Sequence, residues 1–189
     1  MYSRERQVVL GTMLGGSSCV RYGRAKHHLI SMRGKDDIWL TYKSQELRRF
    51  GSETPITCED NGYLRWHSFS VPCFDEVRAM FYDGSGRRID PGVWDELRDI
   101  AWAIWLGDCG EVAEDGIKLR VGVHGAAAND CQGYFRELGM ECDLIGKGRA
   151  ARLVFGVPAS YRFLGICGHQ IPRFMANRYT KALGESQNE

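Results

Sequence analysis

Two short stretches, about half the chain apart, share one pattern: an apolar run that ends in glycine. They are VLGTMLGGS at residues 9–17 and WAIWLGDCG at residues 102–110. Each places small residues four positions apart, Gly11 and Gly15 in the first and Ala103 and Gly107 in the second. Residues four apart share a helix face, so two such helices can pack with their backbones close together. The pattern predicts an internal duplication in which each copy heads one half of the fold.

The segments after each stretch alternate between β-forming and helix-forming patterns. In the first half, residues 36–50 and 74–82 have helical character and residues 54–58 and 63–70 have strand character, and the second half repeats this order. Residues 83–88, DGSGRR, form the most linker-like stretch. We therefore predict one compact unit of two repeats, residues 1–86 and 87–189.

The charge balance is near neutral, because 25 Lys and Arg face 24 Asp and Glu. Proteins that hold long DNA duplexes tend to be strongly basic, so the total charge gives little support for DNA binding. The distribution is more informative. Residues 21–33 carry four basic residues and no acid, whereas residues 111–124 carry three acids. Only the first half offers a basic surface of its own.

The compartment is predicted from the start of the chain and from the cysteines. The charged residues 4–6 lead directly into the first apolar stretch, without the pattern of a signal peptide, and no apolar run reaches the roughly 20 residues of a membrane span. The seven cysteines are odd in number and contain no C-x-x-C pair. We expect free thiols in a reducing, cytoplasmic setting.

The two stretches, together with residues 38–47, 81–89 and 97–110, resemble the LAGLIDADG homing endonucleases of the single-chain, two-motif type. The resemblance implies a mixed α/β (α+β) fold of two αββαββα-like repeats. In that fold two antiparallel sheets form a saddle around two central motif helices. It also implies a monomer that binds double-stranded DNA. An acid at the C-terminal end of each motif helix would bind the Mg²⁺ ions that cut the two strands.

This chain departs from the family at those acids. The first acid position holds Gly16. The second depends on the alignment: one register places Cys109 there with Asp108 just before it, and the other places Asp108 there. Glycine has no ligand atom and a thiol is a soft ligand, whereas Mg²⁺ requires hard oxygen ligands. Asp108 is the candidate metal ligand, and the motif is otherwise unfavourable for Mg²⁺.

The candidate site residues fall into two groups. For catalysis we consider Asp108, Cys109, and the histidines of the segments that follow the two motifs, His27 and His124. For contacts with DNA phosphates or bases we consider the cations and one histidine of the same segments. These are Arg21, Arg24, Lys26, His28, Arg33, Lys118 and Arg120.

Three functions remain open from the sequence. The first is a protein that binds double-stranded DNA, with metal-dependent cleavage lost or weakened. The second is the same fold reused as an enzyme on a small molecule or nucleotide, in a cleft near Gly16 and Cys109. The third is an active Mg²⁺-dependent endonuclease or nickase that uses Asp108.

Overall fold

The computed structural model describes residues 4–51, 54–84, 86–122, 126–176 and 179. The helices are α1 Arg4–Leu14, α2 Asp37–Glu46, α3 Cys73–Phe81, α4 Gly92–Glu96, α5 Asp99–Cys109, α6 Ala126–Glu137 and α7 Val157–Cys167. The strands are β1 Ser18–Val20, β2 Leu29–Gly34, β3 Thr57–Cys58, β4 Leu64–His67, β5 Tyr82–Asp83, β6 Gly86–Arg87, β7 Gly110–Ala113, β8 Gly116–Arg120, β9 Cys142–Ile145 and β10 Arg152–Phe155. Short 3₁₀ turns follow α2 and α7 and precede β10.

The larger sheets repeat one topology. The first has strand order β1-β2-β4-β3 and the second β7-β8-β10-β9, with every described pairing antiparallel. Apart from the small α4 and the β5–β6 hairpin, the element order is αββαββα twice. The predicted mixed fold with two antiparallel sheets is confirmed.

The two motif helices, α1 and α5, pack against each other at the centre of the core. Residues 8–14 of α1 and 100–106 of α5 are all buried, as expected for helices with apolar residues on every side. A Cβ at Gly11 would overlap the Ala101 carbonyl oxygen. The small residue therefore permits the close approach that its spacing predicted.

Gly15 and Gly107 make room for side chains. A Cβ at Gly15 would overlap the side chain of Asp108, and one at Gly107 would overlap the ring of Trp39, which α2 contributes. Gly107 thus admits a residue from α2 rather than the backbone of α1. These two positions tie α2 to the end of α5, where the candidate site lies.

Aromatic side chains fill the core of the second half. Trp102 is in edge or tilted contact with Phe135 and Phe163, and Trp105 contacts Phe135. Both tryptophans are buried core residues. Among the helices that the structure describes, none has the length and apolar character of a membrane span.

Candidate functional site at the ends of the motif helices

A cleft of about 770 Å³ opens where α1 and α5 end. Both sheets contribute to its walls, together with the turn after α1 and the β5–β6 hairpin. It is lined by Gly15, Gly16, Ser17, Arg33, Gly34, Tyr63, Arg87, Asp108, Arg120 and Gly122. This is the region in which the sequence placed the candidate catalytic residues.

Asp108 belongs to a buried ion pair. Its Oδ1 accepts hydrogen bonds from Lys43 Nζ at 2.5 Å and from Trp39 Nε1 at 2.7 Å. The side chains of Lys43 and Asp108 are only 3% and 8% exposed. The other carboxylate oxygen, Oδ2, is buried and has no hydrogen-bond partner among the described residues. The negative charge of Asp108 is therefore compensated within the protein.

Cys109 points towards the second sheet. Its Sγ lies 3.2 Å from the Arg120 carbonyl oxygen and 3.5 Å from that of Trp105, in a geometry in which the thiol donates. Burial, with a smaller effect from the neighbouring Asp108, raises the pKa of Cys109 to about 12. The raised pKa favours the neutral thiol, which is a weak nucleophile and a poor metal ligand.

Gly16 ends the first motif helix. Its φ of +104° lies in a region that L-residues rarely adopt, and a Cβ there would meet nothing within 4 Å. Glycine is required at this position by the backbone conformation rather than by a lack of space.

The residues at these helix ends do not fit the pair of divalent metals that the family implies. One end offers no side chain, and the other offers a carboxylate that already accepts from an ammonium and an indole. In the described part of the chain, three or more His, Cys, Asp or Glu side chains are nowhere grouped as metal ligands. Mg²⁺ binding in proteins relies on accessible carboxylate oxygens, which this site lacks.

Three arginines line the cleft instead, and their partners differ. Arg33 is paired with Glu59 at 2.6 Å and lies over the Tyr63 ring. Arg87 donates to the carbonyl oxygens of Met13 and Ser17 at the end of α1. Arg120, at the end of β8, is exposed. Among the described residues neither Arg87 nor Arg120 has a carboxylate partner, so the cleft is net positive.

His27 and His28 lie outside the cleft. His27 is in the loop between β1 and β2, and its Nδ1 is 2.7 Å from Asp75 Oδ2 on α3. The Nδ1 of His28 is 2.6 Å from the Oδ1 of the same aspartate. Neither lines the cleft. His124 lies outside the described residues.

The remaining residues predicted to contact DNA differ in whether they have an ion-pair partner. Arg21, Arg24 and Lys26 are exposed in the β1–β2 loop, and the described residues provide no ion pair for any of them. Lys118 of β8 is instead paired with Asp115 at 2.8 Å. Of the predicted contacts that the structure describes, Arg21, Arg24 and Lys26 of the first half and Arg120 of the second sheet have no ion-pair partner.

Sequence reasoning missed several residues that shape this site: Trp39, Lys43, Tyr63 and Arg87. Lys43 is a basic residue on the apolar side of α2, and a lysine among core positions is a sign of a buried acid elsewhere. Arg87 lies in the segment that the glycines marked as a linker. Its function as a cap for α1 is visible only once the β5–β6 hairpin is in place.

Comparison with protein families gives one clear result. The sequence profile of the LAGLIDADG DNA endonuclease family matches residues 6–163, most of the chain. Two αββαββα repeats joined through motif helices define the same class. The chain therefore belongs to the LAGLIDADG DNA endonuclease family. Comparison with curated proteins gives no significant match.

Solved structures share the fold at low sequence identity. The homing endonuclease I-WcaI bound to its DNA recognition sequence has a TM-score of 0.74 at 12% identity, over 95% of this chain and 85% of that one. The N-terminal LAGLIDADG domain of DUF199/WhiA gives 0.56 at 12% identity, over 94% and 88%. I-DmoI in complex with DNA and Mn gives 0.55 at 11%, over 86% and 95%.

Proposed function

We propose that this protein binds double-stranded DNA across its two sheets and does not perform the metal-dependent cleavage of its family. The observation that carries the proposal is the charge at the motif-helix ends. Asp108 is compensated by Lys43, Gly16 supplies no ligand, and Arg87 and Arg120 provide cations. A site of this kind attracts a phosphate but offers no accessible carboxylate oxygens to bind the metals.

The surface of the first half supports the DNA-binding part. Arg21, Arg24 and Lys26 form an exposed basic loop at one end of the first sheet. On that sheet Arg33 and Arg65 share a face and also share one acid partner, Glu59, so the group adds one net positive charge. Such cations contact phosphates and set the salt dependence of binding.

The relatives of known structure support the same part. I-WcaI is bound to its DNA recognition sequence and I-DmoI is in complex with DNA and Mn. Both share the two-sheet architecture over most of this chain. The same architecture here would present the basic loop and the cleft to one duplex.

Loss of cleavage follows from the chemistry of phosphodiester hydrolysis. In that reaction the metals stabilise the charge that develops on the attacking and leaving oxygens and generate a hydroxide near neutral pH. Asp108 Oδ1 is bound by Lys43 and Trp39 and its Oδ2 is buried, so the motif-helix ends present no accessible carboxylate oxygen to a metal. The Asp108-dependent nuclease or nickase is therefore the less favoured reading.

The test is binding to a pool of random-sequence duplexes at several salt concentrations, with Mg²⁺, Mn²⁺ or EDTA, followed by sequencing of bound and cut molecules. We expect binding with a steep salt dependence, equal affinity in EDTA, and no cut ends. Cut ends that disappear in a folded Asp108→Asn variant would restore the nuclease reading. No binding at low salt would reject the DNA-binding proposal.

Organisation and setting are part of the proposal. We propose a division at residues 86 and 87, within the β5–β6 hairpin, and a single chain as the functional unit. The seven cysteines are free, which supports a reducing compartment.

A further inference from the structure

Arg87 is a cation held at the end of α1 without an acid beside it. Its two Nη atoms donate to the carbonyls of Met13 and Ser17, and its Nε is buried with no partner among the described residues. Partial burial of a guanidinium is unfavourable unless hydrogen bonds or an anion compensate it. The carbonyl bonds fix the plane of the guanidinium and leave its positive charge without an acid partner, among the described residues, at the wall of the cleft.

Arg120 reaches the same cleft from the second sheet. Its carbonyl oxygen accepts from Trp105 Nε1 at 3.1 Å and from Cys109 Sγ at 3.2 Å, which fixes the backbone against the end of α5. The side chain leaves that backbone on the exposed face of β8. Two guanidinium groups from different elements therefore line one cleft from rigid supports.

The local charge has the sign that a phosphate requires. Carboxylates at the motif-helix ends would repel a phosphate in the absence of metals. Here Gly16 removes one of them, and the ion pair with Lys43 compensates Asp108. Guanidinium groups bind phosphate oxygens through paired N–H donors in a fixed plane.

We infer that the floor of this cleft is a phosphate-binding site in which Arg87 and Arg120 hold a phosphate group directly, without a metal. The backbone of duplex DNA as the source of that phosphate rests on the proposed function. The site itself does not, because a nucleotide or free phosphate presents the same oxygens.

The experiment uses the full-length chain in EDTA with two probes: a random-sequence duplex for affinity, and inorganic pyrophosphate at matched ionic strength for thermal stabilisation. Three variants are compared. Arg120→Gln removes a charge, Arg87→Lys keeps the charge but loses the planar fork, and Arg152→Gln is the control. Arg152 lies opposite Arg120 in register on β10 and on the same face, but it is paired with Glu111 at 3.3 Å and does not line the cleft.

We expect Arg120→Gln to weaken duplex binding about tenfold, as for a lost charge-assisted hydrogen bond, and to abolish stabilisation by pyrophosphate. The Arg87→Lys variant should weaken both, with the salt dependence of duplex binding unchanged. Arg152→Gln should keep the pyrophosphate effect. If Arg87→Lys fails to fold, Arg120→Gln still decides the question, because its side chain is exposed.

The outcomes separate this inference from the proposed function. Stabilisation by pyrophosphate that depends on Arg120, without duplex binding, supports the site and makes a nucleotide or free phosphate its ligand, while the DNA proposal fails. Duplex binding that Arg120→Gln and Arg152→Gln reduce equally, with no pyrophosphate effect, overturns the site and leaves DNA binding in place.

Discussion

Lys43 Nζ lies 2.5 Å from Asp108 Oδ1, and the two side chains, from different repeats, are buried together. Removal of one partner leaves the other as an uncompensated buried charge. We expect Lys43→Met to lower the free energy of unfolding by about 3–5 kcal/mol. Urea denaturation measures this change.

A double variant tests whether the loss comes from the charge. Lys43→Met with Asp108→Asn removes both charges, and the amide oxygen still accepts from Trp39 Nε1. We expect most of the lost stability to return. Lys118→Met, which breaks the surface pair with Asp115, is the control and should change little. Equal stability of Lys43→Met and the wild type would show that the pair is solvated.

Gly16 should resist substitution despite the open space around it. Because its φ is +104°, we expect Gly16→Ala to destabilise the protein by about 1–2 kcal/mol. Gly133→Ala is the matched control, since Gly133 also has open space but lies within α6, where alanine is about 1 kcal/mol more favourable. The two variants should shift the urea midpoint in opposite directions, and a shared direction would contradict the argument.

The basic loop should contribute to the salt dependence of DNA binding. Each phosphate neutralised adds about 0.9 to the slope of log K against log salt. Replacing Arg21, Arg24 and Lys26 by glutamine should therefore reduce the slope by about 2.7 if all three contact phosphates. The triple variant, tested on the same pool of duplexes as the wild type, should leave any preferred DNA sequence unaltered. An unchanged slope would place the duplex away from this loop.

Asp75 should make stability depend on pH in the acid range. Hydrogen bonds from the His27 ring, and then from the ring and backbone of His28, hold the pKa of Asp75 well below its usual 3.8. A carboxyl whose pKa is lowered by folding stabilises the fold above its unfolded pKa and loses that effect as pH falls. Wild type should exceed Asp75→Asn in unfolding free energy at pH 6, and the difference should shrink below about pH 4. A difference constant from pH 6 to pH 3 would contradict this.

Cysteine reactivity provides a check on the motif-helix end. Cys109 is half-buried and its pKa is raised to about 12, whereas Cys58 is exposed at the surface. Iodoacetamide at pH 8 should modify Cys58 rapidly and Cys109 only on unfolding, as followed by peptide mass spectrometry. Rapid labelling of Cys109 in the folded protein would indicate that the end of α5 is open to solvent.

The fold was predictable because its signal is local and repeated. The two apolar runs that end in glycine correspond to the helices α1 and α5. Gly11 and Gly15 lie one helical turn apart, as their spacing in the sequence predicts. The order of strands and helices after each motif follows from periodicity and turn residues. The resemblance to the family supplied the arrangement of the sheets, which periodicity alone does not determine.

The site was less predictable because its interactions join distant residues. Nothing near Asp108 in the sequence indicates that Lys43 and Trp39 of the other repeat will bind it. His27 and His28 lie in the expected segment, but their rings turn to an aspartate on α3. Arg87 resembled part of a linker because glycines surround it, and only the hairpin shows that it caps the first motif helix.

The ion pair between α2 and α5 also makes the two repeats unequal. Two copies of the first repeat would supply Lys43 twice and Asp108 not at all, and two copies of the second would bring two buried acids together without an ammonium. Self-association of either half is therefore penalised by charge. Each half therefore specifies the other as its partner.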